Sequence, residues 1–311
     1  METAKHIRKQ LTGVSGFSRS LGATRSALRR QFWIWPVLAA VLLGGVGWLV
    51  HRSVENAMRE KLAGELTTIL NADVEALRLW TKDQEAIARG LARLPDLRPA
   101  VRELLTIAER PNTTTGALLQ SRALADVRTY LAPFLENFGY SDFFFVSPSL
   151  RVVGANQDAP INNVLEGYRA EFSTKVRKGQ ASVSKPFRSQ LLLLNANGEL
   201  KAGLPTIFAA AMIPDEEGKP LAVLGLRIRP ETDFTNILQT ARYGYSGETY
   251  VISNTGLLLS ESRFDSDLKR LGLLPDLADA QSILTVEVHD PQVNMMEGER
   301  PSLSRPDQPL T

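Results

Sequence analysis

His289 stands beside Asp290, the arrangement a general base and its orienting carboxylate would need in space, yet it stands alone. A lone pair of this kind reads as a turn or surface element. The segment Gly13-Val-Ser-Gly16 lacks the spacing of a nucleophile elbow, and no glycine-rich phosphate loop follows a strand-like run. Asp215, Glu216 and Glu217, ahead of Gly218, read as an exposed hairpin tip, with a weak calcium contact as the alternative. The chain contains no cysteine, so disulfides, thiolate catalysis and Cys-based zinc sites are excluded, and the composition fits an oxidising compartment. No catalytic residue, metal or cofactor is expected. The chemistry left to this chain is recognition.

The elements that must position such a site begin at a membrane. Residues 32–50, FWIWPVLAAVLLGGVGWLV, carry no charge. As a helix at about 1.5 Å per residue they span roughly 28 Å, close to the hydrocarbon thickness of a bilayer. Trp33, Trp35 and Trp48 lie near the two ends, where aromatic rings favour the interface, and Pro36 is expected in the first turn of the span. Residues 1–31 form a basic tail with Lys5, Arg8, Lys9, Arg19, Arg25, Arg29 and Arg30 against the single acid Glu2. The positive-inside bias therefore predicts a cytoplasmic N-terminus, with residues 51–311 on the outer side of the inner (plasma) membrane. The competing reading is a cleaved export signal, since Arg29-Arg30-Gln31-Phe32 looks like a twin-arginine pattern. Against it, the apolar run is long, and His51, Arg52 and Ser53 offer no small-x-small cleavage site.

A net charge of only +2, with much of the basic excess in the tail, implies lipid headgroups rather than nucleic acid as the charged partner. Ala40, Gly44 and Gly47 put small residues near one face of the span, suited to a second span or simply to lipid. At 43% hydrophobic and 23% charged residues, 311 residues suffice for one anchor and one or two globular domains.

Beyond the span, apolar residues recur at three- and four-residue steps over residues 53–94, predicting a long amphipathic helix continuous with the anchor. It is suited to packing on its own domain or on a partner copy. Further helices are predicted over residues 97–109 and 117–137. After Gly139 the period changes to that of strands. Residues 142–146, 151–155, 181–187, 206–213 and 221–228 predict a five-stranded antiparallel sheet, with a short helix and loop over residues 164–178. A helix is predicted over residues 230–242. A second sheet is predicted from residues 248–252, 257–261 and 283–288.

These pieces, in this order, resemble the extracytoplasmic double Cache sensor domains of bacterial receptors. The resemblance rests on the anchor, the long helix, the strand-turn-strand around Phe143 to Gly154, Val183-Ser-Lys-Pro-Phe187, Val223-Leu-Gly-Leu-Arg-Ile228, and above all Gly244-Tyr-Ser-Gly-Glu-Thr-Tyr-Val-Ile252 with Gly256-Leu-Leu-Leu-Ser260. It covers residues 35–311 and implies an α+β fold: a transmembrane helix, helices over residues 51–137, a membrane-distal PAS-like subdomain over 138–229, a connecting helix over 230–242, and a partial membrane-proximal PAS-like subdomain over 243–311. It implies a receptor, a homodimer that binds a small molecule and passes a helix displacement through the membrane to an output domain. The proximal set stops two strands short, so the chain reads as an N-terminal piece whose output lies beyond residue 311.

For the ligand, the resemblance points to Tyr168, Arg169, Phe172 and Lys185, with Phe144, Phe208 and Arg227 on strands. Where amino-acid-binding members carry an aspartate in a Gly-x-Asp stretch, this chain has Gly225-Leu226-Arg227. A guanidinium repels an ammonium and grips a carboxylate, so an organic anion is favoured over an α-amino acid. The other reading of Arg227 has it facing solvent on the outer side of its strand. The alternative function is a membrane-tethered binding or assembly protein without signalling output.

Overall fold

The structure, a computed structural model, describes residues 17–165, 176, 179–240 and 242–310. It divides into two compact units, Met1–Thr67 and Thr68–Thr311. Helix α1 (Phe17–Ala92) supplies the described part of the first unit and the opening of the second. The predicted continuity of span and amphipathic helix holds. Pro36, expected near a helix start, instead lies inside α1, because the helix begins at Phe17. Proline there removes one backbone hydrogen bond, a loss that apolar helices accommodate by local adjustment. From Ile34 to Val50 every residue is exposed, which leaves an uncovered apolar cylinder long enough to cross a membrane.

In the second unit, α2 (Leu97–Ala108), α3 (Thr115–Leu119) and α4 (Arg122–Phe138) follow. The single helix predicted over 117–137 is two, because the Ser121 hydroxyl accepts a hydrogen bond from the Leu124 amide and starts α4 afresh. Gly139, with φ of 72°, closes α4 in the left-handed conformation that lets the chain turn into the sheet.

The main sheet contains β1 (Asp142–Val146), β2 (Val152–Ala155), β3 (Ser182–Val183), β4 (Phe187–Arg188), β7 (Pro205–Pro214) and β8 (Pro220–Ile228). Between β4 and β7, β5 (Leu193–Leu194) and β6 (Leu200–Lys201) form a separate hairpin. All described pairings are antiparallel, in the order β2-β1-β8-β7-β3, with β4 also on β7. This is the expected PAS-like sheet with one change. The strand predicted over 181–187 is split, since Pro186 has no N–H to continue the ladder.

One face of the sheet is the core. Phe143 and Phe145 are fully buried, their rings 5.2 Å apart, beside Leu224 and Leu226. A Cβ added at Gly154 would come within 3.1 Å of Leu104 and 3.5 Å of Leu124, so α2 and α4 lie directly on this face. Each fully buried side chain of this size stabilises the fold by roughly 1.5–3 kcal/mol. Helix α1 reaches the same core through Trp80, whose ring lies 5.9 Å from Phe234, and through Gln84, whose Oε1 accepts a 2.6 Å hydrogen bond from the Tyr140 hydroxyl.

Phe234 belongs to α5 (Asp233–Thr240), which starts three residues later than predicted. After it, residues 242–310 form a small cluster around Leu258, Leu274 and Val286, with α6 (Asp265–Arg270). The three strands predicted here are corrected. Their segments do pair, through Ile252 with Leu258 and Leu257 with Glu287, but only as isolated bridges. Side chains take up the backbone groups instead: Ser253 Oγ accepts from Thr255 and Leu257, and Ser260 Oγ from Val251. The Gly244-x-x-Gly-Glu turn is pinned by Arg263, which donates to the carbonyls of Gly247 and Tyr245, while Glu248 accepts from the Arg263 amide. Only glycine fits at 247, where a Cβ would lie 2.1 Å from the Tyr243 carbonyl oxygen.

Candidate ligand-binding site

Cross-strand partners share a face of a sheet, so the register fixes which side chains meet. Asp142, Arg227 and Phe208 form one row across β1, β8 and β7, and Phe144, Gly225 and Ala210 form the next. These rows belong to the face opposite the helices. The Phe144 and Phe208 rings meet edge-on at 5.3 Å, and Phe187 adds a third ring 5.6 Å from Phe208.

Two features set this face apart from ordinary core. Gly225 is buried, yet a Cβ built on it would meet no atom of the described residues within 4 Å. Interiors are normally packed without such gaps. The second feature is Arg227. It is 2% exposed, so the solvent-facing reading is overturned: β8 is buried on both faces, and its outward row is roofed by the β5–β6 hairpin. One terminal guanidinium nitrogen, Nη1, donates to the Leu194 carbonyl at 3.0 Å, while Nε has no partner among the described residues. A buried guanidinium N–H left unpaired costs free energy, and an acceptor brought to it recovers that cost.

Opposite Arg227, Asp142 is 1% exposed. Burial pushes its carboxyl up to about 7, against the lowering effect of the Phe143 amide, the Arg227 charge and the Asn156 amide. Its Oδ1 accepts from the Phe143 and Asn156 amides at 2.8 and 3.2 Å. Arg227 is itself shifted down by burial, with Asp142 and Glu231 acting in the other direction.

Phe144, Phe208 and Arg227 are thus brought together on one face. Lys185 is not: it is exposed, because its neighbour Ser184 turns inward to bond both the amide and carbonyl of Phe208. Tyr168, Arg169 and Phe172 lie outside the described residues. Sequence reasoning missed Asp142, whose signal was an acid opening the otherwise apolar run Phe143-Phe-Phe-Val146. It also missed the hairpin whose carbonyl holds Arg227.

No family description and no curated protein sequence matches the chain. Among solved structures, it is similar to the sensor domain of the V. cholerae histidine kinase DctB, at 15% identity, covering 66% of this chain and 67% of that one, with a TM-score of 0.42. It is also similar to the ligand-binding domain of the Campylobacter jejuni chemoreceptor Tlp3 in complex with 4-methylisoleucine, at 15% identity, 69% and 75% coverage and a TM-score of 0.40. A further structure is the ligand-binding domain of the Pseudomonas aeruginosa amino acid chemoreceptor PctC in complex with GABA, at 16% identity, 64% and 76% coverage and a TM-score of 0.37. The first is a sensor domain, and the other two are ligand-binding domains of chemoreceptors.

Proposed function

We propose that this chain is the membrane-anchored, extracytoplasmic sensor module of a signal-transduction receptor, binding a small organic anion on the outer face of its PAS-like sheet. The observation that carries the reading is Arg227, a buried guanidinium whose Nε–H has no partner among the described residues, one row away from Gly225, whose added Cβ would meet none of their atoms within 4 Å. Phe144 and Phe208 supply the apolar wall, and the Arg227 N–H the charged grip, the combination of many apolar and few polar groups typical of small-molecule sites. Tyr168, Arg169 and Phe172 complete the proposed ligand set, and the exposed Lys185 would meet a ligand only at its rim.

The anchor is the apolar part of α1, with the N-terminus cytoplasmic and the second unit outside. A homodimer would convert ligand binding into signal by displacing α1, which contacts the sensor core through Trp80 and Gln84. A ligand shifts such an equilibrium only by its differential affinity for the two states.

The test is melting of the full chain in detergent micelles, followed by tryptophan emission, against a panel of mono- and dicarboxylates. A ligand at one hundred times its dissociation constant adds about 2.7 kcal/mol of stability. The gain should disappear in Arg227→Ala and in Gly225→Ala. Carboxylate binding that survives both variants would refute the assignment.

A further inference from the structure

At the C-terminal end of the span, Trp48, His51, Arg52, Glu55, Asn56 and Arg59 recur at alternating steps of three and one along α1, which puts all six on one face of the helix. They line a groove of about 350 Å³. The uncharged run ends at Val50, so at about 1.5 Å per residue Arg52 lies roughly 3 Å beyond the hydrocarbon and Arg59 about 13 Å beyond it. The polar layer of a bilayer is about 5–8 Å deep on each side. Arg52 therefore lies within the layer of phosphates, and Arg59 lies outside it.

The charges on this face are divided accordingly. Arg59 Nη2 donates to Glu55 Oε1 at 2.7 Å, and Glu55 is the one acid among the six, so Arg52 is left without a carboxylate partner among the described residues. It is held instead by an aromatic ring, its Cζ 5.3 Å from the centre of Trp48. A cation over an indole face is attracted by the ring quadrupole, and an indole at the end of a span settles at headgroup level. The pair thus fixes a guanidinium at phosphate depth, with its donors in the fork geometry that suits a phosphate. One turn into the span, the same face carries Gly44 and Gly45, where an added Cβ would meet no atom of the described residues within 4 Å. Two adjacent glycines leave the helix surface bare below the guanidinium, where an acyl chain can lie against the backbone.

We propose that this end of the span seats an anionic phospholipid, its phosphate held by the Arg52 guanidinium over Trp48 and one acyl chain lying along Gly44 and Gly45. A zwitterionic lipid carries its own cation beside the phosphate, which repels the guanidinium; an anionic lipid does not. The basic tail lies at the other end of the span, so this seat is separate from any attraction the tail exerts. The seat rests on the membrane anchor proposed above and not on Arg227 or on what the sheet face binds. A lipid held here would fix the depth of α1 in the bilayer.

The chain contains no cysteine, so a single introduced thiol gives a unique label. Bimane is attached to His51→Cys on the groove face or to Val50→Cys, which at 100° per residue lies on the opposite face. Each full chain is reconstituted in phosphatidylcholine vesicles containing nitroxide-labelled phosphatidylglycerol or nitroxide-labelled phosphatidylcholine, and quenching of the bimane reads the local enrichment of each lipid. One basic side chain at a membrane surface corresponds to about a fivefold enrichment. That preference for phosphatidylglycerol is expected at residue 51 and not at residue 50. It should disappear in Arg52→Gln, and in Arg52→Asn combined with Asn56→Arg, which keeps the net charge but moves it one turn away from the bilayer. Equal enrichment at both labels, or enrichment that survives either variant, would show diffuse attraction without a seat and overturn the proposal. A label at residue 51 quenched by neither lipid would overturn the anchor as well.

Discussion

Asp142→Asn is expected to stabilise the folded chain at pH 8 and to leave it nearly unchanged at pH 4. Asp142 is 1% exposed, and burial raises its carboxyl from 3.8 to about 7 despite two backbone amides and the Arg227 charge. Below pH 3.8 the group is protonated in both folded and unfolded chains, so its ionisation costs nothing. Between 3.8 and about 7 the folded chain holds a proton that the unfolded chain has released, and stability falls as pH rises. Above 7 the full cost is present: the shift from 3.8 to about 7, at about 1.36 kcal/mol per unit, amounts to about 4 kcal/mol. Asparagine keeps an Oδ1 for the Phe143 and Asn156 amides and cannot ionise. The assay is urea unfolding of the full chain in micelles at pH 4, 5, 6, 7 and 8, with Trp80 beside Phe234 as the fluorescent reporter. The stability difference between variant and wild type should grow by several kcal/mol from pH 4 to pH 8. Parallel stability curves, or equal destabilisation at every pH, would show that Asp142 is ionised at ordinary cost and that the reasoning from its burial is wrong.

Gly247→Ala should destabilise the turn before residue 248 by roughly 2 kcal/mol or more, since a Cβ there lies 2.1 Å from a backbone oxygen that cannot move aside cheaply. A melting temperature equal to wild type would contradict the geometry. Gly225→Ala, by contrast, should fold with a stability change under about 1 kcal/mol, because its Cβ meets no atom of the described residues within 4 Å, while ligand binding on the sheet face is lost. Tyr140→Phe removes the donor to Gln84 Oε1 and should cost about 1–3 kcal/mol, with Gln84→Leu in the same background recovering part of it. If the double variant is no better than Tyr140→Phe alone, the buried hydrogen bond is not what holds α1 there.

The order of elements was legible because it rests on long, unambiguous signals: the uncharged run of residues 32–50, the stepping apolar residues of α1, and the extended runs that became β1, β2, β7 and β8. The side that Arg227 faces was not legible. Alternation marks a face only when one side of a strand is wet, and β1 is buried at every position, with β8 buried from Leu224 to Ile228. Register had to decide. The β5–β6 hairpin escaped notice because strands of two residues carry no period; its signal was the Asn195-Ala-Asn-Gly198 turn, in which Asn195 Oδ1 accepts from two backbone amides. Glu231 lies thirty residues before Glu261 and thirty-four before Asp265, and the three carry no common motif. Only folding of the chain after α5 brings them to one cavity.

The isolated bridges after residue 250 set a kinetic boundary within the second unit. Amides on β7 and β8 are paired over eight registered positions in a sheet buried on both faces, and they should exchange with solvent only when the whole unit unfolds. Amides of residues 251–259 are held by scattered single bonds over a cluster with three buried apolar side chains, so local opening should release them orders of magnitude sooner. A cavity of about 410 Å³ draws one wall from β7 and β8, through Pro205 and Arg227, and the other from residues 261–281, which follow those singly bonded amides in the chain. A molecule that grips both walls would be recorded as newly protected amides around Glu261 and Asp265, with those of β8 unchanged. Hydrogen exchange can thus locate an occupant of this cavity before its chemical identity is established.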